Sequence, residues 1–268
     1  MTKPFAPHNI ESKYGYHADY PIWLDVDNDE YHEAGGVSSS DIRDIRDDID
    51  FYLTGEKEEI VKDHLTLGQA FHDYYMRPNY FDEHYVVYPG KVRRGKKWEE
   101  FKENYSDMTI LTSKMFGTIA QMRDNAGQCE VQDDIWIHER NPIFEVSAWV
   151  RDPHTGIMCK VRPDVYLPAS KRVIDIKTAS NPQWEGDGKY QKGFLFSIRK
   201  YGYYIQQAFY MDMLNYAGIP CERFGFYVFG TTPPHDVEYY ELTNAFIKQG
   251  QEEYKEQLRR LKHKLIGG

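Results

Sequence analysis

Cysteine is scarce in this chain. Its 268 residues include three, Cys129, Cys159 and Cys221, at no paired spacing. That excludes a four-cysteine cluster and points to a reducing compartment rather than a disulfide scaffold. Long apolar runs are missing too. No stretch of about 18 residues is apolar enough to cross a bilayer, and the opening MTKPFAPHNI lacks the apolar centre of a secretory signal. The expectation is a soluble, cytoplasmic protein with no membrane partner. Positive charge does not prevail, with 33 Lys and Arg against 42 Asp and Glu and a net charge of −9. An overall basic nucleic-acid binder is therefore disfavoured, although a local basic channel can sit on an acidic body. The glycine signatures GxGxxG, GxxxxGK followed by Ser or Thr, and GxSxG are absent, which leaves dinucleotide, nucleotide-triphosphatase and hydrolase-elbow chemistry without support. There is no internal repeat and no low-complexity segment.

Aromatic residues, by contrast, are plentiful at 15%, mostly through 22 tyrosines. Tyrosine joins apolar area to a hydroxyl, which suits half-wet grooves and interfaces. Basic side chains gather at Lys91 to Lys97 (KVRRGKK), at Lys189 to Lys200 and at Arg259 to Lys264. Each of these, taken singly, is most simply a solvated loop or helix face.

Along the chain, residues 1–36 show no clean periodicity and are read as an irregular arm. A single domain follows over 37–268, helical over about 37–130 and built of a sheet and helices over about 131–268. Serines 38 to 40 offer N-caps. Ile42, Ile45, Ile49 and Leu53 then predict one helix that stops at Gly55. A second helix is expected over 65–76, with Gly68 and His72 on one face. A strand is expected at 85–88, a helix at 98–125, and strands at 133–138 and 143–150. A long helix is predicted from Ile198 to Ala217, stopped by Gly218, then strands at 224–229 and 237–242 and a closing helix from Asn244 to Ile266. This order implies a mixed α/β layer fold.

The stretch Cys159 to Lys177, CKVRPDVYLPASKRVIDIK, reads as a hairpin. Period-two alternation puts Lys160, Arg162, Asp164 and Tyr166 on one face of its first strand, and Asp175 and Lys177 together on its second. Two carboxylates and an ammonium would then gather on one side of a small sheet, with Glu145 on a neighbouring strand. Such a set suits a hard divalent cation, which takes one or two carboxylates plus water and substrate phosphate. The plainer alternative is a hairpin with a solvated charged face.

Taken together, Gly68-x-x-x-His72, Glu145, Arg162-Pro-Asp164, Asp175-Ile-Lys177-Thr178 and Tyr203-x-x-Gln206-x-x-x-Tyr210 resemble the PD-(D/E)xK nuclease superfamily. The likeness extends to its RecE-type, exodeoxyribonuclease VIII-like branch, often phage-encoded, and covers about Val37 to Phe229. The resemblance implies a central mixed β-sheet flanked by helices. It implies that Asp164, Asp175, His72 and the Ile176 carbonyl hold Mg²⁺ or Mn²⁺, and that Lys177 positions the attacking water. Glu145 would be an outer acidic member. Gln206 would flank the catalytic groups, with Tyr203, Tyr210, Arg162 and Arg43 towards DNA. The implied activity is digestion of linear double-stranded DNA from a 5′ end, in a bacterial host cytoplasm. A homo-oligomeric ring, trimeric or tetrameric, and a single-strand annealing protein of RecT type would be the partners. An endonuclease on the same fold, or a DNA-binding protein without catalysis, are the alternatives.

Overall fold

The computed structural model describes residues 22–26, 28–54, 63–126, 142–186 and 192–267. Its centre is a five-stranded sheet. In chain order its strands are β4 (Ile143–Phe144), β7 (Val165–Leu167), β8 (Arg172–Ala179), β9 (Arg223–Gly230) and β10 (Val237–Glu241), with spatial order β10-β9-β8-β7-β4. The β8–β9 pair is parallel and the other neighbours are antiparallel, so the sheet is mixed, as expected. The parallel pair demands a crossover, which α8 (Phe194–Tyr201) and α9 (Tyr203–Tyr216) provide.

Alternation along the two central strands divides the interior. Val173, Phe224, Phe226 and Val228 face α9 and the closing helix α10 (Asn244–Gly267), where Phe209, Tyr254, Leu258 and Leu261 are buried. Ile174, Ile176, Tyr227 and Phe229 face the other way, onto α4 (Asp63–Met76) and α7 (Ser113–Ala126). A sheet buried on both faces by helices is the layer arrangement this pattern requires.

Several expectations change in detail. The segment before residue 37 is not irregular where it is described. Strand β1 (Ile22–Leu24) pairs with β5 (Ser147–Arg151), which pairs with β6 (Met158–Val161), in a second sheet of three strands. Helix α1 (Asn28–Glu33) follows, and Val26, Tyr31 and Ala34 are buried against Trp149 and Met158. Its order comes from these distant partners, which local periodicity cannot show.

The expected helix through Ile42 and Leu53 is two helices, α2 (Ser39–Asp47) and α3 (Ile49–Thr54). Ser38 caps the first through a reciprocal box with Asp41. Asp48 is extended and accepts the Phe51 amide, so it breaks one helix and caps the next. After α5 (Pro78–His84) and β2 (Tyr85–Tyr88), the expected helix over 98–125 is interrupted. It consists of α6 (Lys96–Asn104), then β3 (Thr109–Thr112), parallel to β2, then α7. The expected strand at 133–138 lies outside the described residues. The long helix from Ile198 is split at Gly202, whose φ of 66° ends α8.

Most consequential for function, both strands expected around the charged hairpin change sheets midway. The 143–150 strand becomes β4 and β5, separated at Glu145, whose φ is 48°. The 158–167 strand becomes β6 and β7, separated by Arg162-Pro163-Asp164. Proline has no amide hydrogen to continue a ladder. Lys160, Arg162, Asp164 and Tyr166 therefore do not share one charged face. Lys160 is buried and donates to the carbonyls of Tyr31 and Ala34 at 2.8 and 2.7 Å. Tyr166 is buried and donates to the Pro220 carbonyl.

Candidate active site

The seam between the two sheets opens into a pocket of about 350 Å³. From the central sheet, Asp164 stands at the entry to β7, and Ile176, Lys177 and Thr178 come from β8, with Asp175 buried beside Lys177. The α4 face contributes Gly68, Gln69 and His72, Arg77 follows just past its end, and α9 contributes Tyr203 and Tyr210. Asn28, Tyr31 and His32 close it from α1. The sequence set is thus brought together from elements far apart in the chain.

Gly68 explains itself here. A Cβ at this position would sit 3.0 Å from the Thr178 hydroxyl, so glycine lets α4 lie directly over the end of β8. One turn later on that face, His72 Nε2 meets Asp164 Oδ1 at 3.2 Å. Asp164 Oδ2 accepts the Ile176 amide at 2.6 Å, which fixes the carboxylate against β8. Burial opposes charge on both groups. The Asp164–His72 attraction nevertheless prevails, raising His72 to about 10 and holding Asp164 below the usual carboxylate range.

Asp175 is 2% exposed. Its Oδ2 accepts the Gln206 amide at 2.6 Å, and its Oδ1 is paired with the Lys177 ammonium. Burial pushes the Asp175 carboxyl up to about 6, Lys177 opposes the rise and neighbouring Asp164 adds to it. Burial would lower Lys177, but the Asp175, Tyr203 and Asp164 charges override it and raise its pKa. The ammonium also lies 4.8 Å from the centre of the Tyr203 ring.

Glu145 reaches the same space from the sheet switch. Its left-handed backbone is held at both ends, with its amide donating to Asp164 O at 3.1 Å and its carbonyl accepting Arg162 Nε at 2.8 Å. A glutamate in this conformation is strained, and such strain persists only where surroundings enforce it. Burial raises the Glu145 carboxyl, with His72 and Arg77 opposing.

Arg162 is committed to carbonyls. Besides Glu145 it donates to Val26 O at 2.6 Å, and it lies over Tyr31. The structure makes it a brace for the site's walls, although it also lines the pocket. Arg43 does not line the pocket; it donates to the Tyr201 carbonyl beside Gly202. Tyr203, Gln206 and Tyr210 do face the site, Tyr210 donating to Arg162 O at 3.3 Å.

Two charged residues escaped the sequence reading. Asp73 is 1% exposed and accepts from Tyr85 at 2.6 Å and from Arg77. Burial works against the Asp73 carboxylate, but contacts with His72, Tyr85 and Arg77 hold it down to about 2. Arg77 in turn reaches Glu145 at 3.1 Å. Their signal was the i, i+4 spacing of Asp73 and Arg77 on the helix that carries His72.

Among the described residues, no group of three or more His, Cys, Asp or Glu side chains is arranged to hold an ion. A hard cation does not need such a group, since Mg²⁺ is commonly held by one or two carboxylates with waters and phosphate. The donors present fit that chemistry. The His72–Asp164 contact requires either a proton on His72 Nε2 or a cation held by both groups, and a divalent ion would supply the latter. Asp175 Oδ1 is buried with the Lys177 ammonium as its ion-pair partner, and a carboxylate oxygen keeps a further lone pair to give.

A solved structure shares the architecture. That structure, from Eubacterium rectale and provisionally named an exonuclease, superposes with a TM-score of 0.59 at 15% identity, over 90% of this chain and 87% of that one. At that identity the likeness establishes the fold. A phage-related exonuclease from Haemophilus somnus 129PT matches at 11% identity over 74% of this chain and 94% of that one, with a TM-score of 0.31, too loose to argue from. No curated protein matches by sequence. The family of PDDEXK-like domains of unknown function, DUF3799, matches residues 48–267. With its mixed sheet, its Asp164 and Lys177 in one pocket, its Asp175 paired to Lys177 and a family match over most of its length, the chain belongs to that PDDEXK-like family.

Proposed function

We propose that this protein is a metal-dependent deoxyribonuclease that hydrolyses phosphodiester bonds in linear double-stranded DNA, working 5′ to 3′ from an end. The observation that carries the reading is that His72, Asp164 and Lys177 line one pocket, with buried Asp175 paired to Lys177. Asp164, Asp175, His72 and the Ile176 carbonyl would hold Mg²⁺ or Mn²⁺. Such an ion supplies a polarised phosphoryl oxygen and a more acidic bound water.

The protein's own groups have separable tasks. The raised pKa of Lys177 keeps it an ammonium at neutral pH, so it does not serve as a base. It donates to the attacking water and to the negative charge that builds on the phosphoryl oxygens. Asp175 and the Tyr203 ring fix that ammonium in place, and Gln206 fixes Asp175. Water oxygen bonds to phosphorus, the bond from phosphorus to the leaving sugar oxygen breaks, and a phosphate monoester and a hydroxyl remain. Tyr203 and Tyr210 present aromatic edges to the substrate beside this centre.

The test uses linear and closed-circular duplex DNA, each with Mg²⁺ or with EDTA. Asp175→Asn, which keeps the shape and the hydrogen-bond partner, serves as the inactive control. Loss of the linear DNA alone, only with metal and only with the unaltered protein, is the expected result. Cleavage of the circle would move the assignment to an endonuclease, and metal-independent cutting or a fully active Asp175→Asn would overturn it.

A further inference from the structure

A second cavity, of about 760 Å³, adjoins the active-site pocket along α4. Its charge is unlike the rest of the molecule. The chain is acidic overall, yet Lys91, Arg93 and Lys114 line this cavity and no carboxylate does. Lys91 and Arg93 come from the turn after β2, the KVRRGKK stretch, and Lys114 from the first turn of α7. Neither lysine has an ion-pair partner among the described residues, and both are exposed. Leu67, Pro89 and Met115 add apolar surface to the same cavity.

Its position ties it to the pocket already described. Leu67 lines the second cavity while its neighbours Gly68 and Gln69 line the first. On the sheet side, Thr178 lines the first and Thr231 the second, and the Thr231 amide donates to Ala179 O at 2.8 Å, one residue past Thr178. A chain leaving the active-site pocket over the end of β8 therefore meets Lys91, Arg93 and Lys114 next.

We propose that this cavity is a second nucleic-acid subsite that holds an unpaired strand next to the scissile phosphate; the inference rests on the nuclease reading above. The cations supply the phosphate-binding component of single-strand recognition, and Leu67, Pro89 and Met115 offer apolar contact to the bases where other single-strand sites use aromatic rings. A concavity of this size takes one or two nucleotides of one strand and not a duplex.

The experiment measures binding of a fluorescent 15-nucleotide oligothymidylate to the full chain in EDTA, across a range of salt concentrations. The unaltered protein, the Lys91→Ala/Lys114→Ala double variant and Lys248→Ala, an exposed lysine on α10, are compared, with thermal melts to establish folding. Two lost phosphate contacts make the slope of log affinity against log salt shallower by about 1.4, and weaken binding roughly 25-fold at 0.1 M salt. Lys248→Ala is expected to leave the slope as it was. A double variant no different from Lys248→Ala overturns the proposal, as does an unaltered protein that does not bind. Equal competition by polyglutamate would also overturn it, in favour of an acidic peptide site. The two readings fail separately. Cleavage with an unchanged double variant removes the subsite and keeps the nuclease, while slope loss without any cleavage by the unaltered protein keeps the subsite and removes the nuclease.

Discussion

Lys160 offers a demanding test of how the fold is held, because two effects on it oppose each other. The residue is 6% exposed, and its ammonium donates to the carbonyls of Tyr31, His32 and Ala34, which favours charge. Burial disfavours charge and wins, with Asp41 opposing, so its pKa falls from 10.5 to about 8. The unfolded chain then binds more protons than the folded one between about pH 8 and pH 10.5, so this residue's contribution to stability rises with pH across that window. The full difference, at about 1.4 kcal/mol per unit, is on the order of 3 kcal/mol. Lys160→Met removes the titration and orphans the three carbonyls, for a loss of about 2–3 kcal/mol at neutral pH. Urea unfolding of both proteins at several pH values between 7 and 10.5 measures the gap, and the other titrating groups cancel in the difference. The gap is expected to widen as pH rises. A constant or narrowing gap would refute the reasoning, because it would mean the carbonyls outweigh burial and the ammonium is the preferred form.

Other substitutions probe the site and its supports. Arg77→Met leaves Asp73 and Glu145 with His72 as their remaining cation in a largely buried setting, and should cost about 3 kcal/mol in urea unfolding; a loss under about 1 kcal/mol would mean that His72 or protonation of the carboxylates takes over. Gly202→Ala forces a side chain into a φ of 66°, with its Cβ 3.1 Å from Ile205 and 3.2 Å from Arg43, and should lower stability by about 1–2 kcal/mol. An unchanged melting temperature would show that the α8–α9 junction relaxes freely. Gln206→Ala frees Asp175 Oδ2 and should reduce nuclease turnover by roughly 10- to 100-fold while leaving the fold intact; activity equal to that of the unaltered protein would remove Gln206 from the site.

The chemistry of the pocket was legible where it depended on local spacing. Asp175 and Lys177 share a strand face, and Gly68 and His72 share a helix face, so periodicity alone pairs them. The closing helix and β9 and β10 were equally plain, because their apolar patterns are long. What escaped was set by distant contacts. The segment carrying Tyr31 has no internal pattern and is ordered by Trp149 and Lys160, more than a hundred residues away. Glu145 breaks its strand in a conformation glutamate rarely adopts, so nothing in its identity announces the break. Gly202 did carry a signal, a glycine between two tyrosines in mid-helix, but helical periodicity on either side masked it. Arg162 misled by type, since an arginine beside a candidate catalytic aspartate suggests a phosphate contact and instead holds two carbonyls.

The switch of two strands between sheets has a mechanical consequence. Glu145 and the Arg162–Asp164 step form a joint across which the smaller sheet is riveted to the larger one. Arg162 is the rivet, and one of its two carbonyl anchors, Val26, belongs to the segment that also contributes the edge strand β1. Peeling that edge strand would loosen the rivet, and with it the aspartate two residues further on. A strand at the margin of the smaller sheet, which contributes nothing to the larger one, is thereby mechanically in series with the reacting groups.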